Sequence, residues 1–120
     1  MLNTNKLPYN NINNIPKNRG IYATWLNNEC IYVGKSSKLH NRIKSQYSGQ
    51  RGSDQFCLYV FDSYIKTSLD GKGAQISKKL NYLTQQWTRD NLTFSYFECD
   101  NDTEEEIYYR KSMQPTLNPL

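Results

Sequence analysis

Two tripeptides, Gly20-Ile21-Tyr22 and Tyr32-Val33-Gly34, flank an Asn27-Asn28 pair, and their tyrosines stand ten residues apart. The stretch from Gly20 to Leu26 is rich in β-branched and aromatic residues, the two asparagines supply a turn, and Cys30 to Val33 reads as a returning strand. Period-2 alternation puts Tyr22 on one face with Thr24 and Leu26, and Tyr32 on one face with Cys30. After Gly34 the pattern changes to helical spacing, with Leu39, Ile43 and Tyr47 at i, i+4 and i+8. Arg42 falls just beside that apolar stripe, where it leans back over the strand ends. A hairpin followed at once by a helix commits the chain to a small sheet with a helix laid against it.

The remaining pattern extends that plan. Gln55 to Phe61 is almost continuously apolar and predicts a central, buried strand. Ile76, Leu80, Leu83 and Trp87 predict a helix ending near Asp90-Asn91, and Leu92 to Phe97 alternates as a strand with Leu92, Phe94 and Tyr96 on one face. A last helix is expected from Thr103 to Met113, stopped by Pro115. Residues 1–18 carry Asn3, Asn5, Asn10, Asn11, Asn13, Asn14 and Asn18 with Pro8 and Pro16, the composition of an irregular arm. Leu7, Tyr9, Ile12 and Ile15 are available to dock that arm on the core. The expected organisation is therefore an Asn-rich arm over 1–18 and one domain over 19–120, of α/β (α+β) class, with a small central antiparallel β-sheet flanked by helices.

Charge points to an anionic partner. The formal net charge is +4 with a pI near 8.9. Lys35, Lys38, Arg42, Lys44 and Arg51 follow one another with no Asp or Glu between them, whereas Asp100, Asp102, Glu104, Glu105 and Glu106 gather near the end. Gly34-Lys35-Ser36 matches the last three positions of the phosphate-cradling motif G-x-x-x-x-G-K-S/T. The first glycine of that motif would fall at Glu29, which has a side chain and the wrong charge, so a nucleotide-binding loop is excluded. Cys30, Cys57 and Cys99 are odd in number and widely spaced, against both a cysteine zinc site and a disulfide framework. With no long apolar run and a polar N-terminus, an intracellular, cytoplasmic protein with reduced thiols is expected, without a membrane span.

The ordered set Tyr22, Tyr32, Lys35, Arg42, Glu106 and Asn118 resembles the GIY-YIG nuclease family over roughly residues 19–118, the second motif reading Tyr32-Val33-Gly34. The resemblance implies a magnesium-dependent DNA endonuclease, with Tyr22, Tyr32, Lys35, Arg42 and Glu106 as catalytic residues and Glu106 as metal ligand. Gly34 and Asn118 would support the site, and Lys38, Lys44 and Arg51 would contact DNA. Some restriction-type members carry a histidine one helical turn after the arginine. Here that position is Gln46, and the only histidine, His40, points away.

Each implied role has its chemistry. Mg²⁺ binds through one or two carboxylates and keeps several waters, so a single glutamate suffices, and Mn²⁺ is an expected substitute. Thr103 and Glu106 also have the spacing of a helix capping box, as do Asp102 and Glu105, which leaves Glu105 as the alternative ligand. Arg42 offers planar donors to phosphate oxygens whose charge grows in the transition state. Lys35 supplies a point charge, for the phosphate and for lowering a neighbouring phenol's pKa. Tyr22 is the first choice to contact the attacking water with Tyr32 positioning or relaying the proton, the reverse order staying open. Asn118 is expected to tie the Pro115-Thr116-Leu117-Asn118 tail near the site by its amide.

The expected setting is restriction-like, or associated with phage and mobile elements. The alternatives are a structure-specific repair or recombination nuclease and a nucleic-acid-binding module without catalysis. One site cuts one strand, so double-strand cleavage would call for a homodimer or two successive nicks.

Overall fold

The computed structural model describes residues 2, 5–10, 12–66 and 77–120. Strand β1 is the short Leu7–Pro8, β2 spans Gly20–Leu26, β3 spans Glu29–Ser36 and β4 spans Leu92–Glu98. Helix α1 spans Leu39–Tyr47, α2 Gln55–Val60, α3 Ser77–Asn91 and α4 Asp102–Met113. All pairings are antiparallel and the spatial order is β1-β4-β2-β3, a four-stranded sheet flanked by helices as the sequence predicts.

The hairpin turns at Asn27, whose φ of 55° is one that asparagine tolerates well. Its register sets Tyr22 opposite Gly34 and Thr24 opposite Tyr32. A bulge then brings Trp25 opposite Cys30, with Ile31 as the extra residue. This corrects the expectation that Cys30 shares a face with Tyr32. The bulge consumes one residue of alternation, and Cys30 packs instead with Trp25 and Val33 on the opposite face.

Each face of the sheet has its own cover. Tyr22, Leu92 and Phe94 pack with Leu39 and Ile43 of α1, Phe56 and Val60 of α2 and Leu80 of α3. Ile21, Ala23, Trp25 and Val33 pack on the other side, against Tyr109 and Met113 of α4. From the arm, Tyr9 and Ile15 are buried in the first of these layers, and β1 adds to the sheet beside β4. The Tyr9 hydroxyl hydrogen-bonds with Thr24 Oγ1 at 2.9 Å and donates to Gln46 Oε1 at 3.0 Å.

The stretch Gln55 to Phe61 is not the expected central strand. It forms α2 and runs on into a π-helical turn over Phe61–Ile65. Asp54 starts the helix, its side chain accepting from the Cys57 backbone N–H. Phe56, Cys57, Val60, Phe61 and Ile65 are buried at helical intervals while Leu58 faces outward. An apolar run this short has no period that separates strand from helix, and the cap decides. The central strands are β2 and β4. Helix α3 ends at Asn91 as predicted, while Ile76, Asn3 and Asn11 lie outside the described residues.

Strand β3 would be a bare edge but for the chain's last residues. Helix α4 ends at Gln114 in the left-handed conformation, φ 44°. Beyond it, Thr116 and Leu117 N–H groups donate to the carbonyls of Cys30 and Ile31. Asn118 continues the ladder with its side chain, accepting from Val33 N–H at 3.1 Å and donating to Val33 C=O at 2.6 Å. Arg110 Nε holds the Asn118 carbonyl from the helix. Among the described residues no helix is long and apolar enough to cross a membrane, and all three cysteines are free.

Candidate nuclease site

Tyr22 and Tyr32 stand diagonally across β2 and β3 on the face covered by α1 and α2, and their rings stack with centroids 6.2 Å apart and planes 19° apart. The close approach needs Gly34. A Cβ there would sit 2.3 Å from the Tyr22 hydroxyl oxygen and 2.4 Å from Cζ, so the glycine is the space through which the phenol crosses β3. Gly20 serves the sheet in the same way, a Cβ at that position falling 2.2 Å from the Phe97 carbonyl oxygen. Tyr22 is buried and Tyr32 half-buried. Phe56 meets Tyr32 edge-on at 5.3 Å, and Tyr59 lies 6.5 Å from it. Tyr59, which falls in the stretch expected as a buried strand, is instead on α2 and forms part of the wall around Tyr32.

Arg42 is exposed on α1, and its charge acts on both tyrosines. With Ser36, Lys38, Asn41 and Ser45 it lines an open groove of about 270 Å³. Of the residues expected to contact DNA, Lys38 shares this groove and Lys44 is exposed on the same helix. Arg51 lies elsewhere, stacked 4.4 Å from the Phe61 ring centre, with Nε bonded to Asn81 Oδ1 at 3.0 Å.

Helix α4 settles how its carboxylates are used. Asn101, not Thr103, precedes the first turn, and Thr103 Oγ1 instead accepts from Lys35 Nζ at 2.7 Å. The capping-box arrangement of Thr103 with Glu106 is therefore absent. Asp102 pairs with Arg19 at 3.3 Å, and Glu105 Oε1 accepts from Asn101 Nδ2 at 3.3 Å. Glu106 is half-buried, makes no hydrogen bond or ion pair among the described residues, and its charge acts on Tyr32. Among the described residues there is no cluster of three or more His, Cys, Asp or Glu able to cage a metal. One carboxylate unbonded among the described residues and close to Tyr32 is a donor set that suits Mg²⁺, which retains its waters, and not zinc.

The tyrosines are not the activated phenols that positive neighbours would make. Burial pushes Tyr22 well above its ordinary value, the neighbouring Tyr32 phenol adds to the rise, and Arg42 opposes it. Tyr32 is raised first by burial and next by the Asp54 carboxylate, again against Arg42. Lys35, expected to lower a phenol, spends its ammonium on Thr103. Both hydroxyls are neutral at pH 7, because desolvation outweighs the single cation.

Sequence inspection missed Asp54 and Thr103. Asp54 reads as one more polar residue in the Arg51-Gly52-Ser53-Asp54 loop, and its position directly before an apolar run was the available cap signal.

The buried protons fix the alkaline behaviour of the fold. Burial, then the Asp54 charge, pushes the Cys57 thiol from 9.0 up to about 12, and Tyr9 and Tyr22 are raised above 10.0. The native state keeps protons that the unfolded chain releases. Stability is thus complete below pH 9 and declines as pH climbs from there through about 12. The melting temperature should fall steadily over that window, and Cys57→Ala should flatten its first part. A level profile would contradict the burial of these groups.

No protein-family model matches the sequence, and no curated protein matches it. Among solved structures, the chain is similar to the GIY-YIG N-terminal endonuclease domain of UvrC from Thermotoga maritima bound to its catalytic divalent cation, magnesium. The identity is 20%, the match covers 91% of this chain and 92% of that one, and the TM-score is 0.50. A tyrosine-to-phenylalanine mutant of the same domain, also bound to the catalytic divalent cation, matches at 17% identity over 92% and 93% of the two chains, with a TM-score of 0.50. With its sheet order, its tyrosine hairpin and the helices on both faces, this chain has the GIY-YIG fold.

Proposed function

We propose that the chain is a divalent-metal-dependent endonuclease that hydrolyses DNA phosphodiester bonds, in a restriction-like or phage- and mobile-element-associated setting. The carrying observation is the stacked Tyr22–Tyr32 pair, with Arg42 acting on both rings and Glu106, unpaired among the described residues, acting on Tyr32, beside the open basic groove that Arg42 lines.

The scissile phosphate enters the groove of Ser36, Lys38, Asn41 and Arg42. Arg42 donates to the non-bridging oxygens as their charge grows. Tyr22 accepts a hydrogen bond from the attacking water. Being neutral, it takes up the water's proton only while passing on its own, the neighbouring Tyr32 hydroxyl receiving that proton and releasing its own to bulk water at its solvent-exposed side. Lys35, bonded to Thr103, ties β3 to the start of α4 and so keeps Glu106 in register with Tyr32. Glu106 would hold Mg²⁺, with Mn²⁺ as substitute, and the Lewis acidity of such an ion would complement the donors of Arg42. Asn118 anchors the tail on Val33, next to Tyr32. Lys44 and Arg51 extend DNA contact beyond the groove. One site cuts one strand, so cutting a duplex needs a second copy or a second encounter.

Incubation of the purified protein with linear, nicked and branched DNA, with and without Mg²⁺, tests this directly. Metal-dependent cleavage of at least one substrate is expected. Tight DNA binding with no cleavage under any condition would replace the enzyme with a binding module. Arg42→Ala should lower the single-turnover rate by about 10² or more. Lys44→Ala should mainly weaken binding and flatten its salt dependence. Equal losses of rate in the two variants at saturating DNA would contradict the separate role given to Arg42.

A further inference from the structure

Asp54 is a carboxylate only 3% exposed, and no salt bridge among the described residues involves it. A buried anion without a cation in contact costs several kcal/mol unless hydrogen bonds compensate. Two are present. One oxygen accepts the Cys57 N–H at 3.2 Å and starts α2, and the other accepts the Ser45 hydroxyl at 2.5 Å from α1. Cys57 reinforces the same junction, its Sγ directed at the Gln46 carbonyl at 3.3 Å.

The two helices joined here carry different parts of the site. Ser45 is three residues beyond Arg42 on α1 and lines the same groove. Helix α2 carries Phe56 and Tyr59, whose rings wall Tyr32. The Asp54 charge also acts on both Tyr22 and Tyr32, which places it close to the pair. Its cost makes sense if the spacing of α1 and α2 matters to what lies between them.

We propose that Asp54 and Ser45 form a clasp that positions the tyrosine pair, fixing the Arg42 helix and the Phe56–Tyr59 wall at one separation. Asp54 is a positioning residue that touches neither DNA nor the reacting atoms, and its effect on turnover rests on the nuclease reading above. A displacement of about 1 Å at a catalytic group is enough to cost about 10²-fold in rate. Loosening the clasp should therefore appear in the chemical step and not in binding.

Ser45→Ala is the test least able to unfold the chain, because it leaves the Asp54 cap of α2 in place. Its single-turnover rate at saturating DNA with Mg²⁺ should fall about tenfold or more, while KM stays within about twofold and Ser45→Thr restores the rate. Asp54→Asn, which keeps one oxygen to cap α2 and an amide N–H able to donate to the Ser45 hydroxyl, should retain more activity than Asp54→Ala. A raised KM with unchanged rate would make Ser45 a mere groove contact and overturn the clasp, as would no change in either constant. A second readout needs no cleavage. In the aromatic proton–carbon NMR spectrum of the free protein, with the ring assigned by Tyr32→Phe, Ser45→Ala should shift the Tyr32 signals. If the wild type cuts no DNA, the nuclease reading fails while those signals still decide the clasp, and unmoved signals reject it.

Discussion

Glu106→Ala should abolish metal-dependent cleavage while leaving DNA affinity within a few fold. Four carboxylates occupy the first turns of α4, and the structure separates their uses. Asp102 is engaged by Arg19, Glu105 by Asn101, and Glu104 is exposed to solvent. Glu106 alone is both unbonded among the described residues and close enough to act on Tyr32. Under the proposed reading, removing Glu106 removes the carboxylate assigned to the cation, the one near Tyr32 that is unbonded among the described residues. The basic groove residues proposed to hold DNA are untouched, so rate and affinity should separate. Glu105→Ala is the matched control and should cut at close to the wild-type rate. The comparison is cleavage over a Mg²⁺ titration for both variants, with binding measured in parallel. A Glu106→Ala protein that cuts normally beside an inactive Glu105→Ala would move the ligand by one residue.

Gly34→Ala should destabilise the fold and suppress cleavage together, although the change adds one methyl group. The added carbon would lie 2.3 Å from the Tyr22 hydroxyl oxygen and 2.4 Å from Cζ, well inside contact distance. Tyr22 is buried beneath α1 and stacked on Tyr32, so its ring has little room to retreat. Overpacking of this kind costs about 1–3 kcal/mol. The hydroxyl proposed to meet the attacking water is the atom displaced, so the rate should fall further than the stability. Tyr22→Phe separates the two effects. It removes the hydroxyl and keeps the ring, so melting should change little while the rate collapses. Combining both substitutions should still leave a strained protein, because Cζ remains in the way. Denaturant unfolding and single-turnover cleavage of the three variants decide the matter. A Gly34→Ala protein with wild-type melting and rate would refute the crossing of Tyr22 over that glycine, and full activity in Tyr22→Phe would transfer its role to Tyr32.

The hairpin, α1 and β4 were legible because each repeats its apolar residues at one period over enough positions to exclude the other. Cys30 was placed on the wrong face because a bulge is a change of count, and counting alternation assumes there is none. The Gln55–Phe61 run was misread because a short stretch of nearly all apolar residues carries no period, and its one discriminating signal, the cap, lay outside it at Asp54. The choice between Glu105 and Glu106 stayed open in the sequence because both have capping-box spacing. Only the position of Asn101 and the bond from Lys35 to Thr103 show which carboxylate is free. The expected lowering of a phenol by Lys35 meets an obstacle of another sort, the burial that raises Tyr22 and Tyr32. Sequence order reveals nearby charges but not how little water reaches them.

The clamp of Thr116, Leu117 and Asn118 along Cys30, Ile31 and Val33 closes a loop of 85 residues between Val33 and Asn118. A chain growing from its N-terminus therefore holds both tyrosines and Arg42 long before it holds Glu106, and holds Glu106 before the strand bearing Tyr32 is anchored on both sides. Under the nuclease reading, a chain that stops short of Glu106 lacks the carboxylate assigned to the cation, and one that stops short of Thr116 leaves the outer side of the Tyr32 strand without the bonds that cover it.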